Sequence, residues 1–302
     1  MRVAFAGSPA PAAEILRAVL GSRHEVPLVI SQPDRRRGRS GAPSLTPVAE
    51  AAQAHGVPCL RPATINAPDV LEALREAEVG ALLVVAFGQL LKAPLLDEWC
   101  CVNVHFSLLP AYRGAAPVER AIMDGVDTTG VCIMRMDPGL DTGPVFSTHL
   151  VPVGTEDDAG TVLRRLCAVG GPALVEAVDA IEAGAFHTTP QPEAGISHAA
   201  KIGDDDRVLD AALPAAALSD RIRALSPHIG VRCTIGGQPF KVWAARPVDQ
   251  ETPPGLSAHD GHLLLGCGDG RALEITELQP PSRARMRAGD FLRGWRGGLE
   301  LA

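Results

Sequence analysis

Residues 101–110 read CVNVHFSLLP, an apolar stretch that ends in a polar turn. Side chains alternate between the two faces of a strand, so Asn103 and His105 are predicted to lie on the same face. The valines before and between them lie on the other face, which indicates a buried strand. The segment therefore predicts both a strand of the sheet and a place where polar groups collect at the end of that strand.

A carboxylate further along the chain completes a chemically meaningful set. Asp141 lies in the sequence DPGLDTG at residues 137–143. An amide, an imidazole and a carboxylate, with no nucleophilic Ser or Cys, suit acyl transfer in which the attacking group comes from a substrate. Asn103, His105 and Asp141 are therefore the predicted catalytic residues.

The composition is that of a globular protein with cores built from small aliphatic side chains. Of the 302 residues, 46% are hydrophobic, 21% are charged and only 4% are aromatic. No apolar stretch reaches the length of about 18 residues that a transmembrane helix needs, so no membrane association is predicted. The opening sequence MRVAFAGSP is interpreted as a first strand and turn rather than a signal peptide. The seven cysteines have no C-x-x-C spacing, and we expect reduced thiols in a cytoplasmic protein.

The charge is distributed unevenly along the chain. The net charge is −7, but residues 206–302 carry 12 basic and 11 acidic side chains, whereas residues 1–205 carry 16 and 24. An acidic chain does not favour unspecific binding to nucleic acid, although it is compatible with local basic contacts. Neither a G-x-G-x-x-G nor a G-x-x-x-x-G-K-[ST] sequence is present, which argues against NAD, FAD and ATP as cofactors. The nine histidines show no metal-ligand spacing, so no metal is predicted.

Strand and helix signals alternate in the first half of the chain. Strands are predicted at residues 3–7, 25–31, 81–86 and 102–106, and helices at 11–21, 45–56, 66–78 and 115–124. The run ALLVVA at 81–86 is apolar throughout, which is typical of a strand buried on both faces. This alternation predicts an α/β fold with an open parallel sheet. Residues 131–136 and 144–153 are predicted to add antiparallel strands, and 157–183 to form a long helix interrupted by the Gly-Gly-Pro at 170–172.

The composition changes after residue 184, which divides the chain. We predict a catalytic domain at residues 1–187, a polar linker at 188–205 and a second domain at 206–302. In the second domain a helix is predicted at 215–225, followed by short strands at 231–235, 239–245, 261–265 and 272–278. Short strands separated by glycine turns predict a small β-barrel.

Several longer motifs of this chain resemble those of a known protein family. They are NVHFSLLPAYRGAAP at 103–117, DPGLDTG at 137–143, AGSP at 6–9, QPDR at 32–35, AFG at 86–88 and GQPFKVW at 237–243. The first two resemble the folate-dependent formyltransferases, and the others narrow the resemblance to the branch that acts on methionyl-tRNA. The resemblance covers nearly the whole chain. It implies a Rossmann-like domain followed by an OB-like barrel, 10-formyltetrahydrofolate as formyl donor and initiator methionyl-tRNA as acceptor.

The resemblance also implies a set of folate-binding residues. They are Ser107, Leu108, Leu109 and Pro110 in one turn, and Ala86, Phe87 and Gly88 in another. A turn with exposed backbone groups and an apolar wall suits a flat pterin and aminobenzoyl ligand. Relatives commonly have Tyr where this chain has Phe87, so a hydroxyl group is missing at that position.

Contacts with tRNA are expected in both halves of the chain. The loop PDRRRGRSG at 33–41 supplies Arg35, Arg36, Arg37 and Arg39, and the second domain supplies Lys241. Arginine suits phosphate because its guanidinium donates two parallel hydrogen bonds. By the same resemblance the loop enters the acceptor end of the tRNA. Relatives often carry two lysines just after the position of Arg39, where this chain has Gly and Ala.

Three other functions remain open at this stage. The same donor could serve a small amine, such as an amino sugar or a glycinamide ribonucleotide, but a second domain facing tRNA would then have no purpose. A tRNA-binding protein with a degenerate catalytic domain is disfavoured by the intact Asn103, His105 and Asp141. A hydrolase that releases formate would leave the arginine loop unexplained. The leading expectation is a monomeric cytoplasmic enzyme that formylates initiator methionyl-tRNA.

Overall fold

A computed structural model describes residues 1–36 and 43–301 of the chain. These residues group into two compact units. The N-terminal unit comprises residues 1–115, 129–151 and 163–199, and the C-terminal unit comprises 116–128, 152–162 and the chain from Ala200 onward. Two segments that we assigned to the first domain thus group with the C-terminal residues. The domain limits at 187 and 206 stay a prediction, because grouping by contacts does not define independently folding parts.

The elements up to residue 200 alternate as predicted. In chain order they are β1 (Arg2–Gly7), α1 (Ala10–Leu20), β2 (Glu25–Ile30), β3 (Arg35–Arg36), β4 (Pro43–Ser44), α2 (Pro47–Ala54), β5 (Cys59–Leu60), α3 (Pro68–Glu76), β6 (Ala81–Val85), α4 (Ala93–Glu98), β7 (Cys100–His105), β8 (Arg113–Gly114), α5 (Pro117–Met123), β9 (Thr128–Arg135), β10 (Val145–Pro152), α6 (Ala159–Glu182) and β11 (His198–Ala199). The helices mostly begin with a proline in their first turn, where the missing N–H has no partner in any case.

A seven-stranded sheet forms the centre of the N-terminal unit, in the order β10-β9-β7-β6-β1-β2-β5. The five strands from β7 to β5 are parallel, and β9 runs antiparallel to β7. The chain builds outwards from β1 through β2 to β5, then returns to the other side of β1 to form β6 and β7. In such sheets the point where the strand order reverses opens a crevice at the carboxyl ends of the strands.

Helix α6 differs from its prediction. We expected an interruption at the Gly-Gly-Pro of residues 170–172, but the helix runs unbroken from Ala159 to Glu182 with Pro172 inside it. A Cβ at Gly170 would lie 3.2 Å from Val104 Cγ1, and one at Gly171 would lie 2.8 Å from Ala18 Cβ. The glycines therefore serve close packing against the sheet and α1, and this tertiary packing outweighs their low helix propensity.

The C-terminal unit has its own sheet and core. Its elements are a 3₁₀ turn (Asp205–Arg207), α7 (Ala215–Ala224), β12 (Val231–Ile235), β13 (Gln238–Glu251), β14 (Gly255–His259), β15 (His262–Gly266), β16 (Arg271–Gln279), β17 (Met286–Arg287) and α8 (Ala288–Gly294). The antiparallel order is β12-β13-β16-β15-β14, with β17 beside β16. The predicted turn between β12 and β13 is present, and both of its glycines have positive φ. Strands β14 and β17 and helix α8 were not predicted.

The predicted fold class is confirmed, since a Rossmann-like parallel sheet is followed by an antiparallel half-barrel. No helix of the described residues is both long and apolar enough to cross a membrane. All seven cysteines are free thiols, and five of them are buried. Burial raises the pKa of every one, to about 12 for Cys101, Cys167 and Cys233 and about 11 for Cys267.

Candidate active site

The predicted catalytic residues lie at the end of strand β7. Asn103 pairs with Val84 of the parallel neighbour β6, and His105, the last residue of β7, pairs with Cys132 of the antiparallel neighbour β9. Both side chains are buried, with 9% of Asn103 and 5% of His105 exposed. Strand β7 lies between two neighbouring strands, so the positions of these two buried side chains are fixed. The alternation of the sequence predicts that both lie on the same face of the strand.

The imidazole of His105 is held from two sides. Its Nε2 lies 2.9 Å from the carbonyl oxygen of Tyr112, and its Nδ1 lies 3.7 Å from Oδ2 of Asp141. A carbonyl oxygen only accepts hydrogen bonds, so Nε2 must carry the hydrogen. The other nitrogen, Nδ1, therefore faces the carboxylate and is the one free to gain or lose a proton. The structure thus brings His105 and Asp141 together across more than thirty residues of sequence.

Asp141 is fixed by its backbone as well as its side chain. Its φ of 54° is left-handed, a conformation that costs a residue with a side chain about 1–2 kcal/mol. The backbone N–H of Gly114 donates to Asp141 Oδ2 at 2.8 Å. Within the same loop, Asp137 accepts hydrogen bonds from Gly139 N at 3.1 Å and from Thr142 Oγ1 at 2.7 Å. The DPGLDTG motif is therefore a closed turn that presents one carboxylate to the imidazole.

The carboxamide of Asn103 differs from the side chains of His105 and Asp141 in its hydrogen bonding. Within the described part of the chain, no hydrogen-bond partner is found for this side chain, although the residue is buried. The residue keeps 9% exposure, and its amide atoms are not among the fully enclosed polar atoms that lack a partner. The amide therefore has its donors available for a bound group.

Cys132 is the thiol in register with His105. Burial raises its pKa, against hydrogen bonds with Thr148 and with the N–H of Leu109 that lower it. A thiol with a raised pKa is a poor nucleophile, because the thiolate is the reactive form. The arrangement thus favours direct attack by a substrate group over a covalent intermediate at this cysteine.

The predicted folate turn at residues 107–110 is well ordered by its own contacts. Ser107 is fully buried, and its Oγ donates to the carbonyl oxygen of Ala111 at 2.6 Å. The peptide between Leu109 and Pro110 is cis. Leu108 packs so closely against β9 that a Cβ at Gly130 would lie 2.3 Å from its Cδ2. The serine hydroxyl is thus committed to the turn, while the leucines form its apolar side.

The second predicted folate segment, residues 86–88, follows β6. Ala86 and Gly88 both have positive φ, of 45° and 79°. The ring of Phe87 is 3% exposed and belongs to the apolar core of the unit, while its carbonyl oxygen accepts a hydrogen bond from Gln32 Nε2 at 3.0 Å. This turn therefore presents backbone atoms, and the phenylalanine anchors it from behind.

Part of the predicted tRNA loop lies outside the described residues. Arg37 and Arg39 lie outside the described residues, and for Arg35 and Arg36 only the backbone of strand β3, paired with β4, is described. Lys241 is described. Its Nζ donates to the carbonyl oxygen of Ile229 at 2.7 Å and lies 5.3 Å from the ring centroid of Trp243. With Arg232 it lines a groove of about 550 Å³ in the C-terminal unit.

Sequence reasoning missed the residues that surround this site from the predicted linker. Gln191 hydrogen bonds to Asp141, Gly143 and Arg113, and Ser197 Oγ accepts from Tyr112 N at 2.9 Å. Next to Ser197, strand β11 pairs with β8 and joins the same two segments through their backbones. The segment has no periodic pattern, so nothing in the sequence distinguished it from a loop.

Comparison with known proteins assigns the chain to a family. The formyl transferase family matches residues 1–178, and the C-terminal domain of formyl transferases matches residues 201–296. The chain belongs to the formyl transferase family.

Members of this family include relatives similar to the chain along its full length. The methionyl-tRNA formyltransferase of Aromatoleum aromaticum is 40% identical over 299 residues, which cover 98% of this chain and 94% of the relative. That of Mycobacteroides abscessus is 41% identical and covers 100% of this chain and 99% of the relative.

Among solved structures of formyltransferase fold, two similar ones extend over both units. An N-formyltransferase from Helicobacter canadensis, in complex with folinic acid and dTDP-3-aminofucose, has a TM-score of 0.66 at 15% identity, covering 90% of this chain and 98% of that one. HypX from Aquifex aeolicus, with tetrahydrofolic acid, has a TM-score of 0.67 at 17% identity, covering 100% of this chain and 50% of that one. At these identities the likeness concerns the fold.

Proposed function

We propose that this chain transfers a formyl group from 10-formyltetrahydrofolate to the α-amine of methionine on initiator methionyl-tRNA. One observation carries the proposal: about 40% identity to methionyl-tRNA formyltransferases extends along nearly the whole chain. His105 and Asp141, 3.7 Å apart, and Asn103, two residues before His105 on the same strand, would supply the chemistry that such a reaction needs.

The reaction forms a bond between the amine nitrogen and the formyl carbon and breaks the bond between that carbon and N10 of the folate. Negative charge develops on the formyl oxygen during attack. A well-placed hydrogen-bond donor stabilises such an oxyanion by about 3 kcal/mol. We assign that role to the side-chain N–H of Asn103, whose donors have no partner within the described residues.

His105 and Asp141 handle the proton that must leave the amine and reach N10. With Nε2–H donating to Tyr112, the imidazole can exchange a proton only through Nδ1. Asp141, 3.7 Å away, stabilises the imidazolium that forms when Nδ1 is protonated. His105 then returns the proton to the departing N10. No metal is needed, because the neutral amine is itself a nucleophile.

The folate is assigned to the two turns beside this set. The apolar side of residues 107–110 suits the flat ring system, and the backbone groups of Ala86, Phe87 and Gly88 suit its polar edge. Here Phe87 acts through its main chain, so the missing tyrosine hydroxyl would not weaken binding of the pterin.

Binding of the tRNA is assigned to arginines and to a groove. The arginines at 35, 36, 37 and 39 are proposed to contact phosphates near the acceptor end. In the C-terminal unit, Lys241 places a cation on one groove, which Arg232, paired with Asp204 at 3.0 Å, also lines. Since methionyl-tRNA is a cytoplasmic substrate of translation, we propose a cytoplasmic enzyme, acting as a monomer.

The deciding experiment measures formyl transfer to charged initiator tRNA, to charged elongator methionyl-tRNA and to a nucleotide-linked amino sugar. We expect transfer to the initiator alone, with loss of activity in His105→Ala. Transfer to the amino sugar but not to tRNA would establish the small-amine alternative. Release of formate without any acceptor would establish the hydrolase instead.

A further inference from the structure

Gln191 stands out among the residues that the motifs do not include. Its Nε2 donates to the carbonyl oxygens of Asp141 and Gly143, both at 2.8 Å. Its Oε1 accepts from Arg113, at 3.1 Å from Nε and 2.7 Å from Nη2. A guanidinium only donates and a carbonyl only accepts, so the orientation of this amide is fixed by its partners. All four hydrogen-bonding positions of one side chain are therefore used.

These contacts hold a residue of the site whose backbone is left-handed, as the backbone of Tyr112 is. Asp141 has positive φ, and such a conformation persists in a residue with a side chain only where the surroundings impose it. Gln191 binds the carbonyl of Asp141 itself and that of Gly143, on both sides of Thr142. Through Arg113 it also holds the strand whose next residue, Gly114, donates to the Asp141 carboxylate.

The same part of the chain holds the other side of the imidazole. Ser197 Oγ accepts from the N–H of Tyr112 at 2.9 Å, and the carbonyl of Tyr112 lies 2.9 Å from His105 Nε2. The N–H of Arg113 donates to the carbonyl of Ser197, also at 2.9 Å. At Gly114 a Cβ would lie 2.7 Å from the carbonyl oxygen of Ala199, so the two segments approach as closely as backbone allows.

We infer that Gln191 is a positioning residue for formyl transfer, which acts by holding Asp141 against His105. The expected effect on the rate of formyl transfer rests on the proposed function. That Gln191 holds Asp141 in place rests on the hydrogen bonds alone. Gln191 does not contact the imidazole and is assigned no direct part in moving the proton.

Two substitutions distinguish the contribution of Nε2 of Gln191 from that of Oε1. Gln191→Glu keeps the size and the acceptor for Arg113 but places an oxygen against the carbonyls of Asp141 and Gly143. Gln191→Ala removes both halves. We expect each to lower kcat about a hundredfold, since a misplacement of about 1 Å can cost that much. The KM for folate and for tRNA should change little. Gln53, exposed on α2, gives matched controls as Gln53→Glu and Gln53→Ala.

A double variant tests whether the effect passes through Asp141. Once Asp141→Ala has removed the carboxylate, adding Gln191→Ala should lower kcat no further, because residues that act as a unit are not additive. Losses that multiply would overturn the inference and assign Gln191 a separate role. Wild-type kcat in Gln191→Glu would do so as well, because the contact with Arg113 alone would then be sufficient.

Hydrogen exchange gives a readout that does not depend on activity. The Gly114 amide donates to the Asp141 carboxylate, so its exchange should accelerate in Gln191→Glu while Tm stays near that of the wild type. Unchanged protection of Gly114 would contradict the inference. If the wild type formylated no tRNA, the proposed function would fail, and the exchange of Gly114 would still decide the role of Gln191.

Discussion

The two units differ in where their polar side chains of functional interest lie. In the N-terminal unit the sheet ends on buried polar residues, among them Asn103, His105 and Ser107. In the C-terminal unit the core cluster is aliphatic and aromatic, with Phe240, Phe291 and Trp295 in mutual ring contact at centroid distances of 5.1 to 5.6 Å. Its buried Ser219, Ser226 and Glu274 are each bound to a neighbouring residue. The cations of its groove remain outside that core. The candidate catalytic residues of the N-terminal unit are thus buried, whereas the candidate tRNA-binding cations of the C-terminal unit lie at the surface.

The difference predicts how each region responds to substitution. A hydrogen bond of a buried polar residue contributes only about 0.5–1.5 kcal/mol to the free energy of folding, because it replaces a hydrogen bond with water. A buried aliphatic residue contributes transfer free energy and fills a volume that nothing else fills. Substitutions at the site should therefore affect rate, and substitutions in the half-barrel core should affect stability.

The largest effect is expected at His105. In His105→Ala the rate of formyl transfer should fall at least about a hundredfold, because a general acid–base group typically contributes that much. The free energy of unfolding in urea should fall by only about 1–3 kcal/mol, the cost of leaving the Tyr112 carbonyl without its partner. His187, exposed in the same unit, is the control as His187→Ala. Full activity in a folded His105→Ala protein would contradict the expectation that substitutions at the site of the N-terminal unit affect the rate.

Next comes the half-barrel core. Leu265 is fully buried between β14 and β16, and Leu265→Ala should lower the free energy of unfolding by about 2–5 kcal/mol. Urea denaturation measures the change, and folded protein should retain its kcat. Leu150, with 70% of its surface exposed, is the control as Leu150→Ala. Equal stability of the two variants would show that the buried leucine contributes no more than the exposed one.

A smaller effect is expected at the groove cations. Lys241→Ala should raise the KM for tRNA and reduce the slope of log affinity against log salt by about 1, as expected for one lost phosphate contact. The kcat at saturating tRNA should not change. Arg246 pairs with Glu274 at 2.7 Å, so Arg246→Ala is the control for a cation that is already neutralised. An unchanged salt slope in Lys241→Ala would take the groove out of the tRNA interface.

The smallest effect concerns a buried polar residue away from the site. His24 is 5% exposed, and burial, then the nearby Met1 amine, lower its pKa below 6.5, while Asp179 opposes the shift. Below about pH 6.5 the unfolded chain takes up a proton that folded His24 resists, so stability falls as the pH falls towards the folded pKa. Above about pH 6.5 both states are neutral and the effect is absent.

The test compares unfolding in urea at about pH 7.5 and about pH 5.5. The loss of stability between the two should be smaller in His24→Gln than in the wild type, with His187→Gln as the exposed control. Activity at the higher pH should be unaffected. An identical loss in His24→Gln would assign the acid sensitivity to other groups.

Strong local patterns allowed much of the fold to be predicted. The apolar run at 81–86 and the alternation at 102–106 correspond to β6 and β7, and each predicted helix has a counterpart. The errors occurred where tertiary contacts override local preference. The glycines of α6 are helical because they pack against Ala18 and Val104. Strand β17 is two residues long and exists through its pairing with β16.

Some residues of the candidate site could likewise be predicted from the sequence, and others could not. The motifs predicted that Asn103, His105 and Asp141 belong together, and the structure places His105 and Asp141 3.7 Å apart. Their catalytic roles stay a prediction. Gln191 could not have been found, because a single glutamine in an aperiodic segment carries no signal until the fold brings it to Arg113 and Asp141. The part of the chain interpreted as a linker supplies contacts that no pattern encodes.

The state of the cysteines has a practical consequence for experiments. Since burial raises the pKa of all seven thiols, little thiolate is present at neutral pH, and alkylating reagents should react with them slowly. A single cysteine introduced at an exposed position would react much faster. We therefore expect one fluorophore or spin label to attach mainly at the introduced cysteine, although Cys59 and Cys100 are partly exposed. A second label on the tRNA would then allow distances between the protein and the bound tRNA to be measured.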